Sequence, residues 1–377
     1  MRLPVPTVRP DAVDHYAALL DAEALPAEAL CLTAVRGLSV DEALNRFDGF
    51  PASREITLAV AGQTSVYAFP DELPIVVADH QDGWTLLAED NGFHGSESDV
   101  LARLSSGTVA ASVYWNVNLA SQATLAQDGR VLAAFDFVSG GPPEGDEPET
   151  IDRYLDNLDF EDAYRMCAAA LAFLERISGV RVTADWSAQS HTASVIVDPA
   201  RFELPNRGSW LSINAPDIAA AIPETNRQAL RTLAALAATR ACEATGVDDP
   251  AVLATLADNA ETLPESERIQ RRDELAVQAY QDYRHGLELR WNRCQPSDTT
   301  LDAAAILLAA TRRRNANTSH EHALCTRAHA LAAVYTHLAD DPVDALAWAV
   351  FNACQANRNN WPDMLNEFTT HLLADGT

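Results

Sequence analysis

The sequence predicts an α+β protein: helices on a mostly antiparallel sheet over residues 1–213, then an all-helical domain over 214–377. Three observations carry this. Short runs rich in Val, Ile, Trp, Tyr and Phe crowd residues 55–137, separated by Gly, Pro and Asp. No long helical pattern separates them, which favours an antiparallel meander over a parallel sheet. From about residue 215 strand signals stop and apolar residues recur at helical spacing.

The elements follow in order. Residues 11–48 predict two helices, the second running through "ALCLTAVRGL" after Pro26, and then a short capped one in "SVDEALNRF". There Ser39 is the N-cap and Glu42 completes a capping box. "EITLAV", "SVYAFP", "LPIVVAD", "GWTLLAED", "TVAASVYWNVN" and "RVLAAFDF" predict strands. Asp128-Gly129 suits a two-residue hairpin turn, in which both positions need positive φ. In the strand before it, Val113, Trp115, Val117 and Leu119 fall on one face, and Ser112, Tyr114, Asn116 and Asn118 on the other. The expectation is a half-buried hairpin with its asparagines toward water; asparagine is disfavoured in strands, which leaves room for a binding face.

"GGPPEGDEPET" predicts a loop, and nine carboxylates against one arginine between Glu144 and Asp162 predict a solvated segment. A helix then runs up to Gly179, a good residue for a left-handed cap. "VRVTADW", "HTASVIVD" and "GSWLSI" predict further strands. The second domain opens with a helix from Pro223 through "ETNRQALRTLAALAATRACEATG". "PESERIQRRDELAVQAYQDYRHGLELRWNRC", "SDTTLDAAAILLAATRRR", "SHEHALCTRAHALAAVYTHL", "DPVDALAWAVFNACQAN" and "WPDMLNEFTTHLL" follow. Each has a cap or a proline near its start, and short links favour antiparallel packing in a bundle.

Composition excludes several chemistries. The basic residues are 27 arginines with no lysine, so neither a Gly-Lys-Ser phosphate loop nor a lysine Schiff base is possible. The net charge of −27 opposes binding to nucleic acid or to anionic membrane. Residues 1–200 hold 31 acids against 11 arginines, and residues 201–377 hold 23 against 16. A partner drawn by charge should therefore be basic and should meet the first half. Six scattered cysteines without a Cys-x-x-Cys pair suit buried reduced thiols. The N-terminus lacks the apolar core of a signal peptide, and no apolar run approaches a membrane span of about 20 residues. A cytoplasmic protein is expected.

Reactive constellations are weak. His322, Cys325 and His329 share one helical face, but the two histidines stand roughly 10 Å apart along the axis, too far for one zinc ion. No Gly-x-Ser-x-Gly elbow and no Gly-x-Gly-x-x-Gly loop is present. "NGFHGSES" predicts a turn, not a triad. Acidic pairs such as Glu89-Asp90 mostly cap helices or sit in loops; Glu89, ending a strand at a turn, is the more suggestive of them. "TRRRN", residues 311–315, complements the end of its predicted helix. No catalytic residue, metal ligand or cofactor is expected. The candidate binding residues are Trp84, Glu89, Asn91, Trp115, Asn116 and Asn118.

Taken in order, "CLTAVRGLSVDEAL", "GWTLLAEDNGFHGS", "LSSGTVAASVYWNVN" and "DGRVLAAFDF" resemble an uncharacterised actinobacterial domain family of unknown function, over roughly residues 28–200. The resemblance implies a bacterial origin and a shared α+β domain, and carries over no catalytic residue. Two functions are expected from the whole. The first is a non-enzymatic protein-binding module, an adaptor or antagonist (immunity-type) protein for a basic partner such as a toxin. The alternative is a carboxylate-based hydrolase of unfamiliar type, with a pocket on the N-terminal sheet.

Overall fold

A computed structural model of the chain describes residues 2–50, 53–69, 71–163, 165–203, 207–257, 263–294 and 319–375. The predicted helix "SDTTLDAAAILLAATRRR" and the "TRRRN" run lie outside the described residues. The described residues fall into two compact units, the first over 2–197 with Cys294 and the second over 198–293 with 319–375. The division thus comes earlier than the predicted 213/214. The predicted strand "GSWLSI" is part of a helix, Arg207–Asn214, and Phe202 stacks edge-on against Tyr283 and His329 of the second unit.

The first unit bears out the predicted α+β class. Eight strands form one antiparallel sheet in the order β2-β8-β3-β4-β1-β5-β6-β7. They are β1 Leu30–Arg36, β2 Arg54–Ile56, β3 Ile75–Gln81, β4 Trp84–Asp90, β5 Val109–Trp115, β6 Ser121–Gln127, β7 Arg130–Phe135 and β8 His191–Val195. The helices are α1 Ala12–Asp21, α2 Val40–Arg46, α3 Leu58–Ala68, α4 Ser98–Ser105, α5 Asp152–Leu155, α6 Met166–Ser178 and α7 Ala184–Ala188. One sheet face meets α2 and α4: Val35, Leu87 and Ala110 join Leu44, Phe47 and Leu101 in a shared core. On the other, α6 packs on β1 and β5, and α3 on β3 and β4.

Several elements fall as predicted. Ser39 Oγ accepts the Glu42 N–H at 3.2 Å at the start of α2. Glu42 does not complete the box; its carboxylate pairs with Arg46 instead. Asp128 and Gly129 both have positive φ between β6 and β7. Gly179 caps α6 in the left-handed region.

Other predicted stretches differ. "ALCLTAVRGL" contains β1 at the centre of the sheet, not a helix; six of its seven strand residues are buried, so no period-two alternation marks it. Only the first residues of "EITLAV" lie in β2. Thr57 then caps α3 through the Val60 N–H at 3.2 Å, and the helix runs on through most of "SVYAFP". "VRVTADW" holds the capped start of α7. β5 ends at Trp115, so Asn116 and Asn118 are turn residues and not the wet side of a strand. The hairpin is covered on both faces, with five of the seven β5 residues at 1 % exposure or less.

The second unit is helical, as predicted. Its longer helices are Arg227–Thr245, Glu265–Arg293, His320–Thr336, Pro342–Ala356 and Trp361–Asp375. Glu265–Arg293 packs along His320–Thr336, and Arg227–Thr245 against Pro342–Ala356. Pro223 lies in a short 3₁₀ turn, and Asn226 caps the helix after it. Among the described residues no helix is long and apolar enough to cross a membrane.

Candidate functional site at the Glu89-Asp90 end of the sheet

Register brings Glu89 of β4, Cys31 of β1 and Tyr114 of β5 into one row across three central strands. Thr33 and Ser112 stand one step along on the same face. This polar row lies under the turn 93–96, which links β4 to α4. Glu89 is only 2 % exposed. Its Oε1 accepts the Gly95 N–H at 2.8 Å and its Oε2 the His94 N–H at 3.2 Å. Burial pushes the carboxyl above the ordinary range, against the pull of His94 and these donors. Burial, and then the neighbouring Glu89 charge, pushes the Cys31 thiol well up as well. A protonated, fully buried thiol is a poor nucleophile.

Hydroxyls complete the row. Thr33 Oγ1 donates to the Gly95 carbonyl at 3.2 Å, so its contact with Ser112 Oγ at 3.0 Å uses a Ser112 proton. Cys31 Sγ is 3.6 Å from the same Ser112 oxygen. The turn fits this closely only because residue 95 is glycine. A Cβ there would sit 2.3 Å from Thr33 Oγ1 and 3.1 Å from Cys31 Sγ. Beyond the turn, His94 Nε2 lies 3.1 Å from Asp48 Oδ2, and Arg103 pairs with that carboxylate. The His94 ring stands edge-on to Phe47.

Asp90, the last residue of β4, faces the other way, onto α3. A Cβ on Gly62 would lie 1.9 Å from its Oδ2. Among the described residues its carboxylate has no hydrogen bond or ion pair, and burial pushes its pKa up to about 6.

Five of the six predicted binding residues gather at this end of the sheet. Glu89 is buried, and Asn91 is exposed with positive φ. Trp115 is buried and donates Nε1–H to Ala27 O at 2.9 Å. Asn116 Oδ1 accepts the N–H groups of Asn118 and Ala120, and its amide donates to Tyr114 Oη. Asn118 is exposed. Trp84 is the outlier: it begins β4, opposite Arg36, and is buried at the far end of the sheet.

Sequence reasoning missed the residues that most distinguish this end. Phe93 is 56 % exposed, and Val117 and Leu119 are each 65 % exposed. Tyr114 stands between the two loops, 6.3 Å from the Phe93 ring and bonded to Asn116. Leu119 has φ of 64°, a costly conformation for leucine, held by the Asn116 turn. The available signal was three apolar residues in loop sequence beside Asn and Gly.

A family model described as a family of unknown function (DUF6461) matches residues 12–200. No curated protein and no solved structure matches the chain. The matched span begins before the predicted residue 28 and takes in α1, all eight strands and the Glu89-Asp90 corner. It covers just over half of the 377 residues, and the chain belongs to this family, DUF6461.

Proposed function

We propose that the chain is a non-enzymatic protein-binding module, an adaptor or antagonist, that meets a basic partner at the Phe93 end of the sheet. One observation carries the reading: Phe93, Val117 and Leu119 are exposed on two loops that internal hydrogen bonds hold in shape. Rigid apolar side chains presented to solvent lose little entropy on docking. The surrounding charge supports a basic partner, since residues 1–200 carry a net −20. The cytoplasm is the proposed location, supported by six cysteines as free thiols.

The test is a capture experiment from the native host at graded salt, using the full chain as bait. A basic protein should be retained at low ionic strength and released as salt rises. Phe93→Asp or Leu119→Asp should weaken its capture at least tenfold, the scale of a central apolar anchor. Retention unaffected by both substitutions would remove the reading.

A carboxylate-based hydrolase is the second reading, favoured by Asp90, whose carboxyl at about 6 can gain and lose a proton near neutrality. It requires turnover of an ester, amide or glycoside by the wild-type chain, with a pH profile that Asp90→Asn abolishes. Absence of turnover across such a panel counts against it.

A further inference from the structure

Two buried polar atoms of the second unit, Tyr283 Oη and His329 Nε2, meet no hydrogen-bond partner among the described residues. Their side chains are 3 % and 2 % exposed. The two are neighbours. Their rings stand edge to face with centroids 6.0 Å apart, and Phe202 packs edge-on against both. A buried polar atom without a partner is costly, and native folds seldom keep two side by side.

Positive charge gathers at the same pair. The Arg201 guanidinium carbon stands over the Tyr283 ring, 4.9 Å from its centroid. Among the described residues, the charges that act on His329 are those of Arg201 and Arg358, and both act on Tyr283 as well. Arg201 and Arg358 are each partly exposed. Donors are therefore plentiful here: guanidinium N–H groups and the Tyr283 O–H. One acceptor stands among them. His329 donates Nδ1–H to Asn352 Oδ1 at 2.9 Å, which leaves the lone pair on Nε2. Burial and the arginine charges hold the ring neutral, so that lone pair persists far below neutral pH. The matching ligand is an oxyanion that accepts several hydrogen bonds and donates one. Monohydrogen phosphate has this form, with a P–O–H beside unprotonated oxygens; sulfate at the same pH has no proton to give.

We propose that the second unit binds inorganic phosphate between Arg201, Arg358 and the Tyr283–His329 pair. The guanidinium groups and the Tyr283 hydroxyl donate to its oxygens, as arginine commonly does to phosphate. The P–O–H of the ligand donates to His329 Nε2. The neutral imidazole thus tells hydrogen phosphate from sulfate, because sulfate leaves that buried acceptor unmet. The inference concerns the second unit alone and is independent of the binding-module reading of the first.

The test is calorimetric titration of the full chain near pH 7.5 in a phosphate-free buffer, first with inorganic phosphate and then with sulfate. Phosphate should bind at one site, and sulfate at least tenfold more weakly. Saturating phosphate should also raise the urea concentration needed to unfold the chain. Tyr283→Phe should weaken phosphate binding at least tenfold. Without phosphate, the same variant should unfold at the same urea concentration as wild type or a higher one, since it deletes a hydroxyl that the described residues leave unmet. Arg358→Gln, at a partly exposed position, should weaken both anions. No phosphate effect at millimolar concentration, equal affinity for the two anions, or unchanged binding by Tyr283→Phe overturns the proposal. So does a Tyr283→Phe variant less stable than wild type without phosphate, because the hydroxyl would then already be met within the fold.

Discussion

Acidification from pH 7.5 to pH 4.5 is expected to cost the helical unit about 3 kcal/mol through a single side chain, His329. The ring lies between Phe202, Tyr283 and Phe351 and is 2 % exposed. Burial, then the charge of Arg201, holds its pKa down at about 3; Arg358 adds to this, and the bond to Asn352 opposes it. The tautomer follows from that bond. Asn352 Nδ2 donates to Phe202 O and Trp348 O, so its Oδ1 accepts from His329 Nδ1–H at 2.9 Å. Nε2 therefore carries the lone pair, and among the described residues no partner meets it. Protonation would place a cation there, near Arg201 and Arg358.

The sign is that of a depressed base. Above pH about 6.5 the imidazole is neutral in both states and the stability is complete. As the pH falls, the unfolded chain takes the proton first, and stability drains until the folded pKa of about 3 is reached. The full window is worth about 5 kcal/mol. Urea unfolding of wild type and His329→Gln at the two pH values measures it. The variant should be weaker at pH 7.5 and should lose about 3 kcal/mol less on acidification. Parallel losses in both proteins would show that His329 does not carry the effect.

Glu89→Ala is expected to cost the first unit about 4 kcal/mol. It leaves the His94 and Gly95 N–H groups without their acceptor beneath the turn, and it opens space beside Cys31. Glu89→Gln retains the volume but turns an amide donor toward one of those donors, and should cost about half as much. Hydrogen exchange at the His94 and Gly95 amides should accelerate in both variants, by more than global unfolding accounts for. A stability change below about 0.5 kcal/mol would mean that the carboxylate does not hold the turn. Released from the turn, Phe93 should also bind the captured partner less tightly.

Some of this organisation is legible along the chain. The Asp128-Gly129 hairpin, the Ser39 cap, the Gly179 stop and the long helices of the second unit rest on local chemistry: allowed φ, a side-chain acceptor for an open N–H, an apolar stripe. β1 and α3 were misread for complementary reasons. β1 is buried on both faces, so its Leu, Cys and Ala residues show no alternation and mimic a helix. The β-branched residues around α3 suggest strands, yet the Thr57 cap and packing against β3 and β4 make it helical. Local preference is worth a few tenths of a kcal/mol per residue, and burial of a whole face outweighs it.

At the candidate site the sequence marks Glu89 as an acid at the end of a strand, but not what the acid does. Its role depends on Gly95, which is near in sequence, and on Cys31, Thr33 and Ser112, which only sheet register brings alongside. The asparagines show the same limit: alternation extends a strand through Asn118, whereas the Asn116 side chain ends it by taking two backbone N–H groups.

By itself the sequence determined the α+β class, the helical second half, the acidity and the loss of lysine chemistry, because these follow from composition, period and local caps. Only the tertiary structure decided that Glu89 accepts two backbone N–H groups while no donor among the described residues reaches the carboxylate of its neighbour Asp90. The physical reason is that a carboxylate's character comes from its desolvation and its donors. Alternate residues of a strand face opposite sides of the sheet, so two adjacent acids enter different surroundings that no local pattern records.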